Sequence, residues 1–187
     1  ITGDTDPAHV KLTMAGAASG NIDNITLGNG NNVITNVSTA GTINVTLGTG
    51  SNYITLGGAT TNSTGRYNLT IGAGTAPDYI TVGTGGTTYA TTPNYVISGV
   101  QTGDRITFSA DGASSANALT ETTAGASLAQ TIAAIEAAAA FAHGVAYAIY
   151  GGNTYIAESA SGVLSANDTT IIQLVGIHTL TASTGYV

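Results

Sequence analysis

Charge is the scarcest commodity in this chain. Charged residues make up 7% of its 187 positions, against about a quarter in an ordinary globular domain. Only Lys11, Arg66 and Arg105 are basic, and the net charge is −7. With so few cations neither phosphate contacts nor a polybasic face can be assembled, which argues against nucleic acid and an anionic bilayer as partners. Cysteine is absent, which rules out disulfides and thiolate metal sites and leaves the redox compartment open. The longest apolar run, Ile132–Ala142, is too short for a bilayer and contains Glu136. A chain that opens on Ile1 reads as a fragment or a processed product, and no signal peptide is visible at this terminus.

Catalytic patterns are missing too. His9, His143 and His178 are isolated, so no His-Glu-x-x-His zinc centre exists. No Gly-x-Ser-x-Gly elbow, P-loop or dinucleotide fingerprint is complete. The acids sit mostly at turns, without the placed pair that a glycosidase needs. The expectation is a chain without enzymatic chemistry of its own.

What the chain has instead is repetition. Leu27–Thr35 reads Leu-Gly-Asn-Gly-Asn-Asn-Val-Ile-Thr, and Leu47–Thr55 reads Leu-Gly-Thr-Gly-Ser-Asn-Tyr-Ile-Thr. Ile71–Thr81 repeats the pattern with an insertion, Ala76-Pro77, before Asp78. Each copy is a Gly-x-Gly turn, a side-chain oxygen and one short strand. Ile25, Ile34 and Ile43 are nine residues apart, as are Val45–Ile54, Ile71–Ile80 and Ile97–Ile106. One inward apolar residue per strand, with a turn between, predicts half-coils of a stacked parallel β-solenoid. Asp23, Asn32, Asn52, Asp78 and Asp104 each stand two residues before the inward isoleucine. That offset predicts one corner of oxygens repeated along the stack. Two readings of it stay open: calcium held by those oxygens and freed turn carbonyls, or a ladder of amides hydrogen-bonded to one another without metal. The turn glycines need only positive φ to explain them.

These copies resemble the calcium-binding RTX β-roll, whose repeat is G-G-x-G-x-D-x-U-x. Gly28, Gly30 and Ile34, and again Gly48, Gly50 and Ile54, match it. Leu27 and Leu47 stand in place of its first glycine, and Asn32 and Asn52 in place of its aspartate. The resemblance implies calcium as the cofactor, with Asp23, Asn32, Asn52, Asp78, Asp104 and the glycines Gly28, Gly30, Gly48 and Gly50 around it. Asp23, Asp78 and Asp104 carry the charge such an ion prefers.

The expected fold class is mainly β: a parallel β-roll or solenoid followed by a small α+β cap. Residues 1–19 are a lead-in with one alternating strand at Val10, Leu12 and Met14. Asp4 and Asp6 there read as an exposed loop. Residues 20–110 are the roll, and Asn94–Phe108 looks like the segment that seals the last coil of RTX repeats. Residues 111–126 are a linker. Residues 127–187 hold a helix with a Ser127/Gln130 capping box and an apolar stripe of Leu128, Ile132, Ile135 and Ala139. Gly144 is its expected C-terminal glycine, after His143. A hairpin about Gly151-Gly152 and a strand at Ile171–Val175 follow. Glu158 and Asp168 read as exposed turn acids.

This tail is similar to the C-terminal region of RTX surface proteins exported by type I secretion, although Asn153 replaces an aspartate common at that hairpin. The composition, rich in alanine, threonine, glycine and asparagine, resembles bacterial surface-layer and adhesive proteins. Together the resemblances imply a secreted structural protein of the bacterial cell surface that binds calcium and assembles with copies of itself. Its other partners would be the type I machinery and a cell-surface polysaccharide. The rivals are the secretion half of an RTX protease or lipase, and a host- or ice-binding adhesin. A regular outward Thr-x-Thr array would favour the adhesin, and in the sequence Thr26, Thr35, Thr46, Thr55, Thr70 and Thr81 are irregularly spaced. The Asn-x-Thr triplets are read as products of composition.

Overall fold

The computed structural model describes residues 9–14, 20–36, 40–57, 65–83, 93–108, 119–140, 144–159 and 169–181. Asp4, Asp6, His143 and Asp168 lie outside them. The protein is mainly β, with thirteen strands and one helix among the described residues. Nine short strands come first: β1 (Lys11–Met14), β2 (Ile22–Thr26), β3 (Val33–Asn36), β4 (Thr42–Thr46), β5 (Tyr53–Leu56), β6 (Arg66–Thr70), β7 (Tyr79–Val82), β8 (Tyr95–Ser98) and β9 (Arg105–Phe108). The odd-numbered ones form a five-stranded sheet in the order β1-β3-β5-β7-β9. The even-numbered ones lie side by side in a second sheet. Every pairing among the nine is parallel. The nine-residue interval is thus the step from one sheet to the other, while neighbours within a sheet are 20, 22, 24, 26 or 28 residues apart.

Alternation explains the core. Along each strand β-branched and apolar residues point inward every second position. Register then stacks Ile34, Ile54, Ile80 and Ile106 in one sheet, and Ile25, Val45, Leu69 and Ile97 in the other. All eight are buried in one cluster. Tyr67 and Tyr95 stack inside it with ring centroids 4.8 Å apart. The Tyr95 hydroxyl donates to the carbonyls of Gly57 (3.0 Å) and Gly83 (3.3 Å), which meets its hydrogen-bonding need in an apolar setting. Burial pushes the Tyr67 phenol up to about 12 and that of Tyr95 still higher.

The C-terminal part continues the second sheet. Its elements are β10 (Leu119–Glu121), α1 (Leu128–Ala138), β11 (Gly144–Tyr150), β12 (Asn153–Ser159) and β13 (Thr169–Leu174). The sheet order is β10-β11-β12-β13-β8-β6-β4-β2, with β13 parallel to β8. One sheet therefore runs through both the repeats and residues 127–187, and a strand falls inside the stretch read as linker. Strands β11 to β13 bury both faces. Val145, Tyr147, Ile156, Ile172 and Leu174 join the repeat core, while Ala146, Ala148, Tyr155, Ala157 and Ile171 pack against Ile132 and Ile135 of α1 and against Ala139 just after it.

The Ser127 hydroxyl caps α1 by accepting from the Gln130 N–H (3.3 Å). The Gln130 side chain reaches back to the Ala126 N–H (3.0 Å), one residue earlier than a capping box requires. Gly144 opens β11 and does not end the helix, whose C-cap is Ala139. Glu158 is fully buried on β12, opposite Thr170, and is not a turn acid.

Candidate functional site

The strongest cluster of polar groups lies at one edge of the five-stranded sheet, where each Gly-x-Gly turn enters a strand. Asn32, Asn52, Asp78 and Asp104 immediately precede β3, β5, β7 and β9, and all are at least 96% buried, Asp78 being the most exposed at 4%. They form a ladder. Asn52 Oδ1 accepts from both the side-chain Nδ2 (2.8 Å) and the backbone N–H (3.2 Å) of Asn32. Asp78 Oδ1 accepts from the same two groups of Asn52, at 2.8 Å each. Asp104 Oδ1 accepts from the Asp78 N–H (2.9 Å), and its Oδ2 from the Gln101 N–H (2.8 Å).

Asp23 does not belong to this group. It sits within β2, on the second sheet, in register with Ile43. Its offset from Ile25 matches the others, but only the turns that enter the odd strands form this edge. Residues nine apart occupy opposite sheets, so one shared offset merged two different places.

Glycines let the turns stack. A Cβ at Gly48 would fall on Asn29 and 2.8 Å from the Gly28 carbonyl carbon, and one at Gly72 would lie 2.7 Å from that of Gly48. Gly30 and Gly50 add positive φ, 121° and 136°, which side chains rarely tolerate. Close approach is thus the reason for Gly48, beyond the φ argument made from sequence. Asn29 and Asn31 went unnoticed in the sequence. Their side chains accept from the N–H groups of Thr49 (2.9 Å) and Ser51 (3.0 Å) one turn on. Aligning Leu27–Thr35 beneath Leu47–Thr55 would have paired them. Gln101 was also missed: with its amide turned so that both ends find partners, it pairs with the Gly74 peptide, donating to the carbonyl (2.7 Å) and accepting from the N–H (3.1 Å).

Calcium takes about six to eight oxygen ligands. The first two rungs do not fit it. Asn32 Nδ2 points its hydrogens at the carbonyls of Gly28 (3.2 Å) and Gly30 (3.1 Å), and Asn52 Nδ2 at that of Gly50 (3.2 Å). The amide occupies those oxygens in the way a cation would. Asp78 and Asp104 differ, being adjacent carboxylates on consecutive rungs. Among the described residues no group of three or more histidine, cysteine or acidic side chains converges.

Burial raises the Asp78 carboxyl above its ordinary value, the Asn52 hydrogen bonds oppose this, and the charge of Asp104 raises it further. A carboxyl raised in the folded state binds its proton more tightly there than in the unfolded chain. Stability is therefore lost as pH climbs from the unfolded value of 3.8 through the raised one. Asp78→Asn keeps an oxygen for Asn52 and removes the charge. Without divalent ions at neutral pH it should melt a few degrees above the wild type, at roughly 2–4 °C per kcal/mol. The gap should close as pH falls toward 4. Thermal unfolding across pH checks this, and a variant less stable than wild type at pH 7 would refute it.

Outward positions also align. Thr13, Thr35, Thr55, Thr81 and Thr107 form one row across the five-stranded sheet. Thr26, Thr46, Thr70 and Ser98 form another across the second, beside Asn24, Asn44, Asn68 and Val96. The threonines that look irregular in sequence are regular in space. Asn44 Nδ2 donates to Asn24 Oδ1, and Asn68 Nδ2 to Asn44 Oδ1, both at 2.8 Å.

No protein-family model matches the chain, and neither does any curated protein or any solved structure.

Proposed function

We propose that the chain is the C-terminal part of a bacterial surface-layer or related surface protein of the RTX type, exported by a type I system and self-assembling outside the cell. In this reading the stretch 20–110 is a parallel β-roll and its faces are the lattice contacts. One observation carries it: the outward rows, of threonine on both sheets and of asparagine on the second, in register and almost free of charge. Between Asn24 and Tyr95 the only charged residues are Arg66 and Asp78, and Asp78 is buried. Soluble monomers defend strand faces and edges with charge. Here charge is confined to a few strands, with Lys11 and Arg105 on the outermost strands of the first sheet, and β3, β4, β5 and β7 carry none, which suits repeated lateral contact through their faces.

Calcium belongs to the proposal at the Asp78–Asp104 rungs alone. An ion there would supply positive charge between two carboxylates that repel one another, and would stabilise the folded state by mass action. Millimolar calcium should raise the melting temperature, with magnesium far less effective, and Asp78→Asn should abolish the response. The threonine rows equally favour an adhesin built on the same roll, as the second reading.

Sedimentation and direct imaging of the purified chain in millimolar calcium test the assembly. Wild type should form sheets or large oligomers, and Thr46→Lys with Thr55→Lys, both exposed, should block them while leaving the melting curve intact. A clean monomer at high concentration would sink the lattice reading and favour a secreted enzyme's tail.

A further inference from the structure

The outer face of the five-stranded sheet carries a second row beside its threonines. Register places Lys11, Val33, Tyr53, Tyr79 and Arg105 in one line, one residue from each strand. Tyr53 and Tyr79 stack with centroids 4.7 Å apart and planes 5° from parallel. The Arg105 guanidinium lies over the far face of that pair, 5.7 Å from the Tyr79 centroid. Two of the three basic residues in the chain thus bracket one aromatic stack. No outward position of these five strands is acidic. In a chain of net charge −7, this face has the opposite sign.

A stacked tyrosine pair alone is ordinary cross-strand packing. It does not require a cation at each end of the row, and it leaves Tyr53 half exposed. The two cations stand four strand steps apart, roughly 19 Å at about 4.8 Å per step. Duplex DNA presents a charge every ~1.7 Å, so two cations at that separation are far too sparse for it. They suit a polymer whose anions are widely spaced and whose remaining surface is hydroxyl. The tyrosine edges and the parallel row of five threonine side chains offer hydrogen bonds to such a chain along the whole interval.

We propose that this face binds an acidic polysaccharide laid across the strands, its anions meeting Lys11 and Arg105 and its hydroxyls meeting the tyrosine and threonine rows. The inference deepens the surface-protein reading by naming the ligand of one face.

The test uses the full chain and a hyaluronan octasaccharide, followed by titration calorimetry at low salt. Tyrosine fluorescence serves as a second readout, since the chain has no tryptophan. Binding should weaken at least tenfold in the double variant Lys11→Gln/Arg105→Gln and fall steeply with added salt. It should be retained in Lys11→Arg and in Arg66→Gln, whose residue lies on the other sheet. Dextran should not bind, and polyglutamate should bind more weakly than hyaluronan. The pair Thr46→Lys with Thr55→Lys, which the lattice reading expects to block assembly, should tighten hyaluronan binding through the added cation at position 55, so the two ideas fail separately. Equal affinity of wild type and the double glutamine variant would overturn the proposal. So would equal losses in that variant and Arg66→Gln. If the double variant changes sedimentation and leaves hyaluronan affinity unaltered, a second copy of this chain is the occupant and the proposal falls.

Discussion

Asn52→Ala is expected to lower the melting temperature by roughly 6–12 °C. The residue is fully buried, and its one oxygen takes two donors from Asn32. Alanine leaves the Asn32 N–H buried without an acceptor, removes the side-chain donor to Asp78 Oδ1, and opens a small cavity. A buried polar group left unpaired costs about 1–3 kcal/mol, and with the cavity the sum is about 3 kcal/mol. At about 2–4 °C per kcal/mol for a chain of this size, the range above follows. Asn44→Ala is the control. It cuts a ladder of the same geometry on an outer face, where water replaces the lost bonds, and should cost no more than about 0.5 kcal/mol. Equal shifts in the two variants would mean that the buried ladder contributes nothing special.

Gly50→Ala should be worse. Its φ of 136° is already unfavourable for a side chain. The added methyl would strike the Gly30 carbonyl, lying 2.7 Å from its carbon. Both are backbone atoms and neither can rotate away. The adjoining bond, from the Gly30 N–H to the Thr49 carbonyl at 2.8 Å, would have to lengthen as the turns separate. A loss above about 4 kcal/mol is expected, the range reserved for a named structural failure. The observable is loss of the cooperative unfolding transition, or its displacement by more than about 10 °C. Gly20→Ala isolates the dihedral cost: φ is 86° with no atom within 4 Å of the new carbon, so a fall of a few degrees is expected. Similar behaviour of the two would show that the turns do not stack closely.

The strands and their parallel direction were legible in the sequence because alternation and a nine-residue interval are local signals. Which strands become neighbours was not. Neighbours are separated by 20 to 28 residues, and insertions such as Ala76-Pro77 fall in connectors, where they shift numbering without disturbing register. The same shift hid the threonine rows and the Lys11–Arg105 line. The offset before each isoleucine did find Asn32, Asn52, Asp78 and Asp104. It swept in Asp23 because a count of residues carries no record of which sheet a strand joins. Strand β10, with three residues and little alternation, left no mark in a stretch dominated by small polar residues. The pairing of β13 with β8 joins segments too far apart for any periodicity to show.

The buried ladder also has a direction. Every rung donates to an oxygen supplied later in the chain, Asn32 to Asn52, Asn52 to Asp78, Asp78 to Asp104, whereas the outer asparagine row points the opposite way. A polypeptide made from its N-terminus therefore emerges with each new turn still lacking its acceptor. The carboxylate that ends the series, Asp104, is tied locally through its other oxygen, which accepts from the Gln101 N–H only three residues away. That short loop can close before any long-range pairing exists, at little entropic cost. The Asp104 carboxylate is thus the one acceptor of the buried ladder that its own loop holds in place, independently of the neighbouring strands.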